Sequence, residues 1–172
     1  MTNQPIQAAK TEFSPLKEED FKIVREIYNY YVLHSTATFH TEELSIPHLK
    51  KHILINHPKY PAFLIKNGQT PCGFCYISRY KQRPAYDRTA EVTIYLKPEY
   101  TGKGIGSLAL EKLEQTARRN KISVLIGVIS ADNQASIRLF VKCGYEKCAH
   151  FKKVGEKFNK ILDVVAMQKV LD

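Results

Sequence analysis

Apolar side chains recur at helical spacing in two long segments of the chain. The first segment carries them at Phe21, Val24, Ile27, Tyr28 and Tyr31, and the second at Ile105, Leu108, Ala109, Leu113 and Ala117. This spacing predicts two amphipathic helices. We expect the first helix to begin near Ser14-Pro15, because proline is tolerated in a first turn, and to end near His34.

Other segments have the periodicity of strands. Residues 62–65 and 73–77 flank the turn signal Asn67-Gly68 and predict a hairpin. Residues 91–96 alternate, so that Glu91, Thr93 and Tyr95 share one face and the apolar members share the other. The continuous apolar run 124–129 predicts a strand covered on both faces, and residues 145–151 and 161–168 predict the last two strands.

Short helices and a loop complete the pattern. We expect a helix over residues 46–56, a loop over residues 79–88, and a short helix capped by Asp132 or Asn133 and stopped at Gly144. The order of these elements predicts the α/β (α+β) class, with one mixed sheet. A single domain over residues 11–172 is expected after a loose polar tail at residues 1–10.

The composition fits an ordinary globular domain, with 44% hydrophobic and 25% charged residues among 172. No apolar run approaches the roughly 20 residues of a membrane span, and no export signal is recognisable, so we expect a cytoplasmic protein. Cys72-Cys75 lies inside a predicted strand, and the spacing of Cys143 and Cys148 differs from it. A zinc ribbon is therefore not predicted, and we expect reduced thiols and no metal.

The formal net charge of +9 is concentrated in the last third of the chain, at Lys142, Lys147, Lys152, Lys153, Lys157 and Lys160. A solvated cationic surface explains such a cluster, and so does a field that attracts a polyanionic ligand. No helix-turn-helix, zinc-finger or RNP pattern accompanies the charge, so nucleic acid is not the expected partner.

The segment Thr101-Gly102-Lys103-Gly104-Ile105-Gly106 stands between a predicted strand and a predicted helix. Glycines there leave backbone N–H groups uncovered at the positive end of the helix, which suits a pyrophosphate. A Walker A loop is excluded because Gly104 follows Lys103, and the dinucleotide fingerprint is excluded because Ser107 stands where its third glycine belongs. A plain flexible turn is the alternative.

Several further segments carry a resemblance to a known family. They are Ile27-Tyr28-Asn29, Ser35-Thr36-Ala37-Thr38-Phe39, Ala85-Tyr86-Asp87-Arg88-Thr89-Ala90-Glu91, Asn133-Gln134-Ala135-Ser136, Ser136-Ile137-Arg138-Leu139 and Gly144-Tyr145. With the glycine segment, they resemble the GCN5-related N-acetyltransferase (GNAT) superfamily, and within it the phosphinothricin and methionine sulfoximine acetyltransferases. The match runs in order from about Phe13 to Leu171.

The resemblance implies a mostly antiparallel sheet flanked by about four helices, acetyl-CoA as co-substrate and a homodimer. The cofactor-binding residues that it implies are Ile94, Tyr95, Leu96, Thr101, Gly102, Lys103, Gly104, Ile105, Gly106, Asn133 and Ser136. Thr101 replaces the usual Gln or Arg of the superfamily loop, which should weaken the site without abolishing it. Asn133 is implied to contact the pantetheine arm, and a helix cap is its alternative role.

The resemblance also implies the chemistry. Glu91 stands where the relatives have a catalytic glutamate and is the candidate general base, with a solvent-facing glutamate as the alternative. Backbone N–H groups near Ile94 and Tyr95 would stabilise the oxyanion. Phe140 stands where many members have a tyrosine or histidine as general acid, and phenylalanine donates no proton. An α-amino group, with a pKa of about 7.7–8.0, then suits the site better than a lysine amine at about 10.4.

The substrate residues implied by the resemblance are Phe39, Lys81, Arg83 and Tyr86, with Lys81 and Arg83 favoured among the loop cations Arg79, Lys81, Arg83 and Arg88. Tyr80-Lys81 stands where relatives have Trp-Arg, so a point charge replaces a bidentate fork for the substrate carboxylate. A core aromatic role for Phe39 and solvated roles for the loop cations are the alternatives.

The sequence therefore predicts transfer of an acetyl group from acetyl-CoA to the amino group of a small, amino-acid-like substrate. One alternative keeps the fold and makes the acceptor a protein or peptide amine. Another is a non-catalytic acyl-CoA-binding or nucleic-acid-binding module, which the net charge, Thr101 and Phe140 would suit.

Overall fold

Seven strands form one sheet in the computed structural model, which describes residues 7–171. The strands are β1 (Thr11–Pro15), β2 (Ala62–Asn67), β3 (Thr70–Arg79), β4 (Thr89–Leu96), β5 (Val124–Ser130), β6 (Glu146–Lys157) and β7 (Lys160–Val170). The helices are α1 (Phe21–His34), α2 (Ile46–Lys50), α3 (Ile105–Arg119) and α4 (Gln134–Lys142). The strand order is β1-β2-β3-β4-β5-β7-β6.

Only the β4–β5 pair is parallel in this sheet; every other neighbouring pair is antiparallel. The predicted single domain, with a mixed, mostly antiparallel sheet and four helices, is confirmed. The β2–β3 hairpin closes at Gly68, which has a φ of +61° that glycine adopts without strain.

The two faces of the sheet bury separate apolar clusters. One cluster joins Val92 and Leu96 of β4 to Leu110 and Leu113 of α3. The other contains buried residues of α1 and α2, and Tyr95 packs against it. The predicted alternation of β4 is confirmed, because its apolar positions face α3 and Tyr95 faces α1.

Two predicted helix bounds are wrong. Ser14-Pro15 belongs to β1, whose backbone pairs with β2 and sets Phe13 opposite Ile65, so α1 begins only at Phe21. The helix expected over residues 46–56 ends at Lys50, and the chain then turns irregularly. Asn56, with a φ of +57°, cannot continue a right-handed helix.

The described part of the predicted tail, residues 7–10, forms a short 3-10 turn beside the β2–β3 hairpin, where Gly68 N donates to Lys10 O at 2.9 Å. Residues 1–6 of that tail lie outside the described residues. Within residues 7–171, no helix has the length and apolar character that crossing a membrane requires. The same residues contain no group of His, Cys, Asp and Glu side chains arranged to hold a metal.

Candidate active site

The β4 and β5 strands part soon after they begin to pair. Their parallel register covers only Thr89 with Val124, Ala90 with Leu125, and Glu91 with Ile126. Beyond this point β4 keeps only β3 as a neighbour and β5 keeps only β7. A wedge-shaped opening in the sheet therefore begins directly after Glu91.

Backbone direction decides which amides of β4 face this opening. Lys97 N donates to Cys72 O on β3 at 2.8 Å, and amides alternate sides along a strand. The N–H of Tyr95 therefore faces β3, whereas those of Ile94 and Leu96 face the opening. Of the two amides predicted to stabilise the oxyanion, only that of Ile94 is directed there.

The glycine segment ends at the uncapped N-terminus of α3. Gly104 is the N-cap residue with a φ of +84°, and no side chain among residues 7–171 is seen to bond the first amides of the helix. Gly102 is also left-handed, at +70°. Because the first four N–H groups of a helix have no intrahelical partner, this end is suited to bind an anion.

Thr101 takes no part in that amide array through its side chain. Its hydroxyl donates to Pro98 O at 2.7 Å and so closes the turn that follows β4. Gly106 is the second residue of α3, where a Cβ atom would be 2.8 Å from Leu139 Cδ2. The third glycine of the segment therefore lets α3 approach α4 closely.

The Asn133 side chain caps α4. Its Oδ1 accepts from Ser136 N at 3.2 Å, so two of the predicted cofactor residues bond to each other. This is the helix-cap alternative for Asn133. The amide nitrogen of its side chain is not used in the cap.

Phe140 is buried, with 7% of its surface exposed. Its ring meets Tyr145 edge-on, with centroids 4.9 Å apart. It also covers Gly127 of β5, where a Cβ atom would be only 2.2 Å from Phe140 Cε1. Position 140 is thus an apolar packing site that supplies no proton.

A cavity of about 630 Å³ lies on the face of the sheet that α1 and α2 cover. Glu91 lines this cavity, and burial raises the pKa of its carboxyl while the Lys81 charge opposes that rise. The rest of the described lining is Tyr28, His40, Leu44, Leu49, Lys51, His52, Ile53, Leu54, His57, Tyr60, Tyr76, Ile77, Ser78, Arg79, Gln82 and Thr93. Glu91 is the one carboxylate in that set.

The other predicted substrate residues are not part of the described lining. Lys81 Nζ lies 5.0 Å from the centroid of the Tyr80 ring, although its charge reaches Glu91. Arg83 lies over the exposed ring of Tyr86 at 5.4 Å.

Arg79 lines the cavity, whereas the family resemblance favoured Lys81 and Arg83 for the substrate carboxylate. Its guanidinium lies 3.3 Å from Asp87 and donates to Gln82 O at 3.1 Å. The contact with Asp87 offsets part of the positive charge that Arg79 brings to the cavity.

Sequence reasoning also missed a hydrogen-bonded group in the cavity wall. Tyr28 Oη lies 2.7 Å from Thr38 Oγ1 and 2.6 Å from His40 Nδ1. Burial, followed by the charges of neighbouring cations, lowers the pKa of His40. Tyr28 and Thr38 belong to segments that carry the family resemblance, which was the signal available for them.

Comparisons with known proteins agree with this architecture. The model of the acetyltransferase (GNAT) family matches residues 24–145. The chain belongs to the GNAT family. It is 30% identical to the phosphinothricin N-acetyltransferase of Streptomyces coelicolor over 168 residues, which cover 95% of this chain and 98% of that protein.

Two further relatives bear on this GNAT protein. The L-methionine sulfoximine/L-methionine sulfone acetyltransferase of Salmonella typhimurium is 30% identical over 158 residues, which cover 89% of this chain and 90% of that protein. The solved phosphinothricin acetyltransferase of Sinorhizobium meliloti, in complex with AcCoA, has a TM-score of 0.87 and 28% identity. That alignment covers 94% of this chain and 89% of the other.

The geometry of this acetyltransferase fits acetyl-CoA. The opening beside Ile94 and Leu96 offers backbone groups to an extended amide-bearing arm, and the uncapped start of α3 offers N–H groups to a pyrophosphate. Acetyl-CoA is therefore the co-substrate that the family and the site both support.

Gly104→Ala should weaken coenzyme A binding about tenfold, because a side chain at a left-handed φ costs about 1–2 kcal/mol and relaxation would redirect the α3 amides. Isothermal titration calorimetry measures the affinity. Gly68→Ala is the matched control, since Gly68 also has a left-handed φ, of +61°, but lies in the β2–β3 turn. Equal affinities for the two variants would contradict a role of the Gly104 turn in binding.

Proposed function

We propose that this GNAT protein transfers the acetyl group of acetyl-CoA to the amino group of a small, amino-acid-like acceptor, with Glu91 as general base. The observation that carries the proposal is the position of Glu91. Its side chain lines the acceptor cavity, and its backbone forms the last rung before β4 and β5 part. The two substrates would therefore meet at this carboxylate.

Each residue has a definite task in this reaction. Acetyl-CoA supplies the acetyl group as a thioester. The Glu91 carboxylate takes a proton from the acceptor ammonium, directly or through one water, and leaves a nucleophilic amine. The Ile94 N–H donates to the carbonyl oxygen as negative charge develops there. Phe140 donates nothing, which a thiol with a pKa near 8.5 tolerates because its thiolate is a fair leaving group.

The cavity wall supports an acceptor that carries a carboxylate. Lys51 and Arg79 line it, and the Lys81 charge lowers the pKa of Glu91 against the effect of burial. His57 also lines the cavity. Its Nδ1 accepts from Lys59 N and Tyr60 N at 3.2 and 3.1 Å, so Nε2 is the ring nitrogen that can donate to a carboxylate. The phosphinothricin and methionine sulfone activities that relatives are named for fit the same chemistry.

A substrate panel tests this proposal. Release of free thiol from acetyl-CoA should accompany addition of phosphinothricin, methionine sulfoximine or methionine sulfone. Free α-amino acids and peptides with a free N-terminus complete the panel. Turnover of peptides alone would instead select a protein acceptor, and salt-sensitive binding of nucleic acid without thiol release would select a non-catalytic module.

Glu91→Gln should lower kcat by about 10²-fold or more, since the amide accepts no proton, while acetyl-CoA affinity stays unchanged. Thiol-release kinetics and calorimetry measure the two quantities. Glu12→Gln, on the edge strand β1, is a control that should leave both unchanged. Full activity of the Glu91 variant would remove this residue from the mechanism.

The acid limb of the kcat/KM profile should lie above the ordinary glutamate pKa of about 4.3, because burial raises the pKa of Glu91 and only its deprotonated form accepts a proton. Lys81→Gln should move that limb further up, since the Lys81 charge lowers the pKa. Arg83→Gln, whose guanidinium lies over Tyr86, should leave the limb in place. A downward shift for the Lys81 variant would contradict the assignment of the limb to Glu91.

A further inference from the structure

Lys157, at the end of β6, is a buried lysine whose partners are carbonyl groups. Only 4% of its surface is exposed. Its Nζ donates to Ser35 O at 2.7 Å and Thr38 O at 2.8 Å, and it lies 3.4 Å from Tyr31 O. No carboxylate among the described residues forms an ion pair with it.

Stability alone does not account for this arrangement. Desolvation lowers the pKa of Lys157, which shows that burial disfavours its charge. The carbonyls at the C-terminal end of α1 offset part of that cost through hydrogen bonds and the helix dipole. An apolar side chain of similar length would fill the space without desolvating an ammonium. What the lysine adds is a fixed position for the chain around residues 35–38.

A second contact fixes the same segment to the same strand. Gly155 lies two residues before Lys157 and so on the same face of β6. The Phe39 ring covers it, since a Cβ atom at Gly155 would be only 2.3 Å from Phe39 Cε2. This contact explains why Phe39 lies outside the described cavity lining.

The fixed segment continues into the cavity wall. Thr38, whose carbonyl binds Lys157, bonds Tyr28 Oη through its hydroxyl, and Tyr28 Oη in turn bonds His40. Tyr28 and His40 both line the cavity that holds Glu91. Hydrogen bonds through Thr38 thus connect the end of β6 to two residues that line the same cavity as the proposed base.

We propose that Lys157 is a positioning residue for the acceptor substrate: with Gly155, it clamps residues 35–40 onto β6 and thereby sets the Tyr28–His40 wall of the cavity. The part of this proposal that concerns the acceptor rests on the proposed function. The clamp itself does not depend on that function.

Lys157→Met keeps most of the length of the side chain and removes its donors. Hydrogen exchange by mass spectrometry should show about tenfold or faster exchange over residues 35–43, because a hydrogen-bonded anchor is lost. In steady-state kinetics, the KM for the acceptor should rise about tenfold or more, with the KM for acetyl-CoA unchanged. Lys160→Met is the matched control, since Lys160 is exposed and directly opposite Lys157 in the hairpin, and it should change neither quantity.

Gly155→Ala tests the clamp independently, and carries the test if Lys157→Met does not fold. It should displace Phe39 and raise the acceptor KM in the same selective way. Unchanged exchange over residues 35–43 in the folded variants would overturn the clamp. Faster exchange with an unchanged acceptor KM, or equal losses for both substrates, would overturn the positioning role. If the wild-type protein acetylates no amine, the proposed function fails, and hydrogen exchange still decides whether the clamp exists.

Discussion

The early end of the pairing between β4 and β5 is the constraint on which the rest of the site depends. Three rungs join the strands, and then each strand keeps only its antiparallel neighbour. A sheet interior with unpaired amides is costly unless another group satisfies them. The opening is tolerable because β3 and β7 hold the two strands, and the β4 amides that face it remain accessible to a ligand.

The same strand also divides its side chains between the two faces of the sheet. Side chains of β4 alternate, so Glu91, Thr93 and Tyr95 lie towards α1 while Val92 and Leu96 lie towards α3. The cavity lies on the face of β4 that α1 covers, and α3, whose N-terminus is uncapped, packs on the other face. Glu91 lines the cavity and also lies at the last rung before the opening begins.

Sequence periodicity was enough to predict β4, α3 and the capped start of α4, since each is a local pattern with its own signal. It misplaced the start of α1, because Ser14-Pro15 resembles a helix entrance and only pairing with β2 makes this segment a strand. The family resemblance favoured Lys81 and Arg83 over Arg79 as the cation for the substrate carboxylate. Which loop cation faces inward depends on the path of the loop, and on the Asp87 partner that holds Arg79.

Lys157 shows a limit of a different kind. In the sequence it is one of six lysines in a basic stretch that suggested a cationic surface. In the structure its partner Thr38 is 119 residues away, so no local pattern could distinguish it from its neighbours. Lys169 likewise has partners far away in the sequence, because its Nζ donates to Glu114 and to the carbonyl oxygen of Cys143. Lys157 is therefore buried among carbonyl groups and is not part of the exposed cationic surface that the basic stretch suggested.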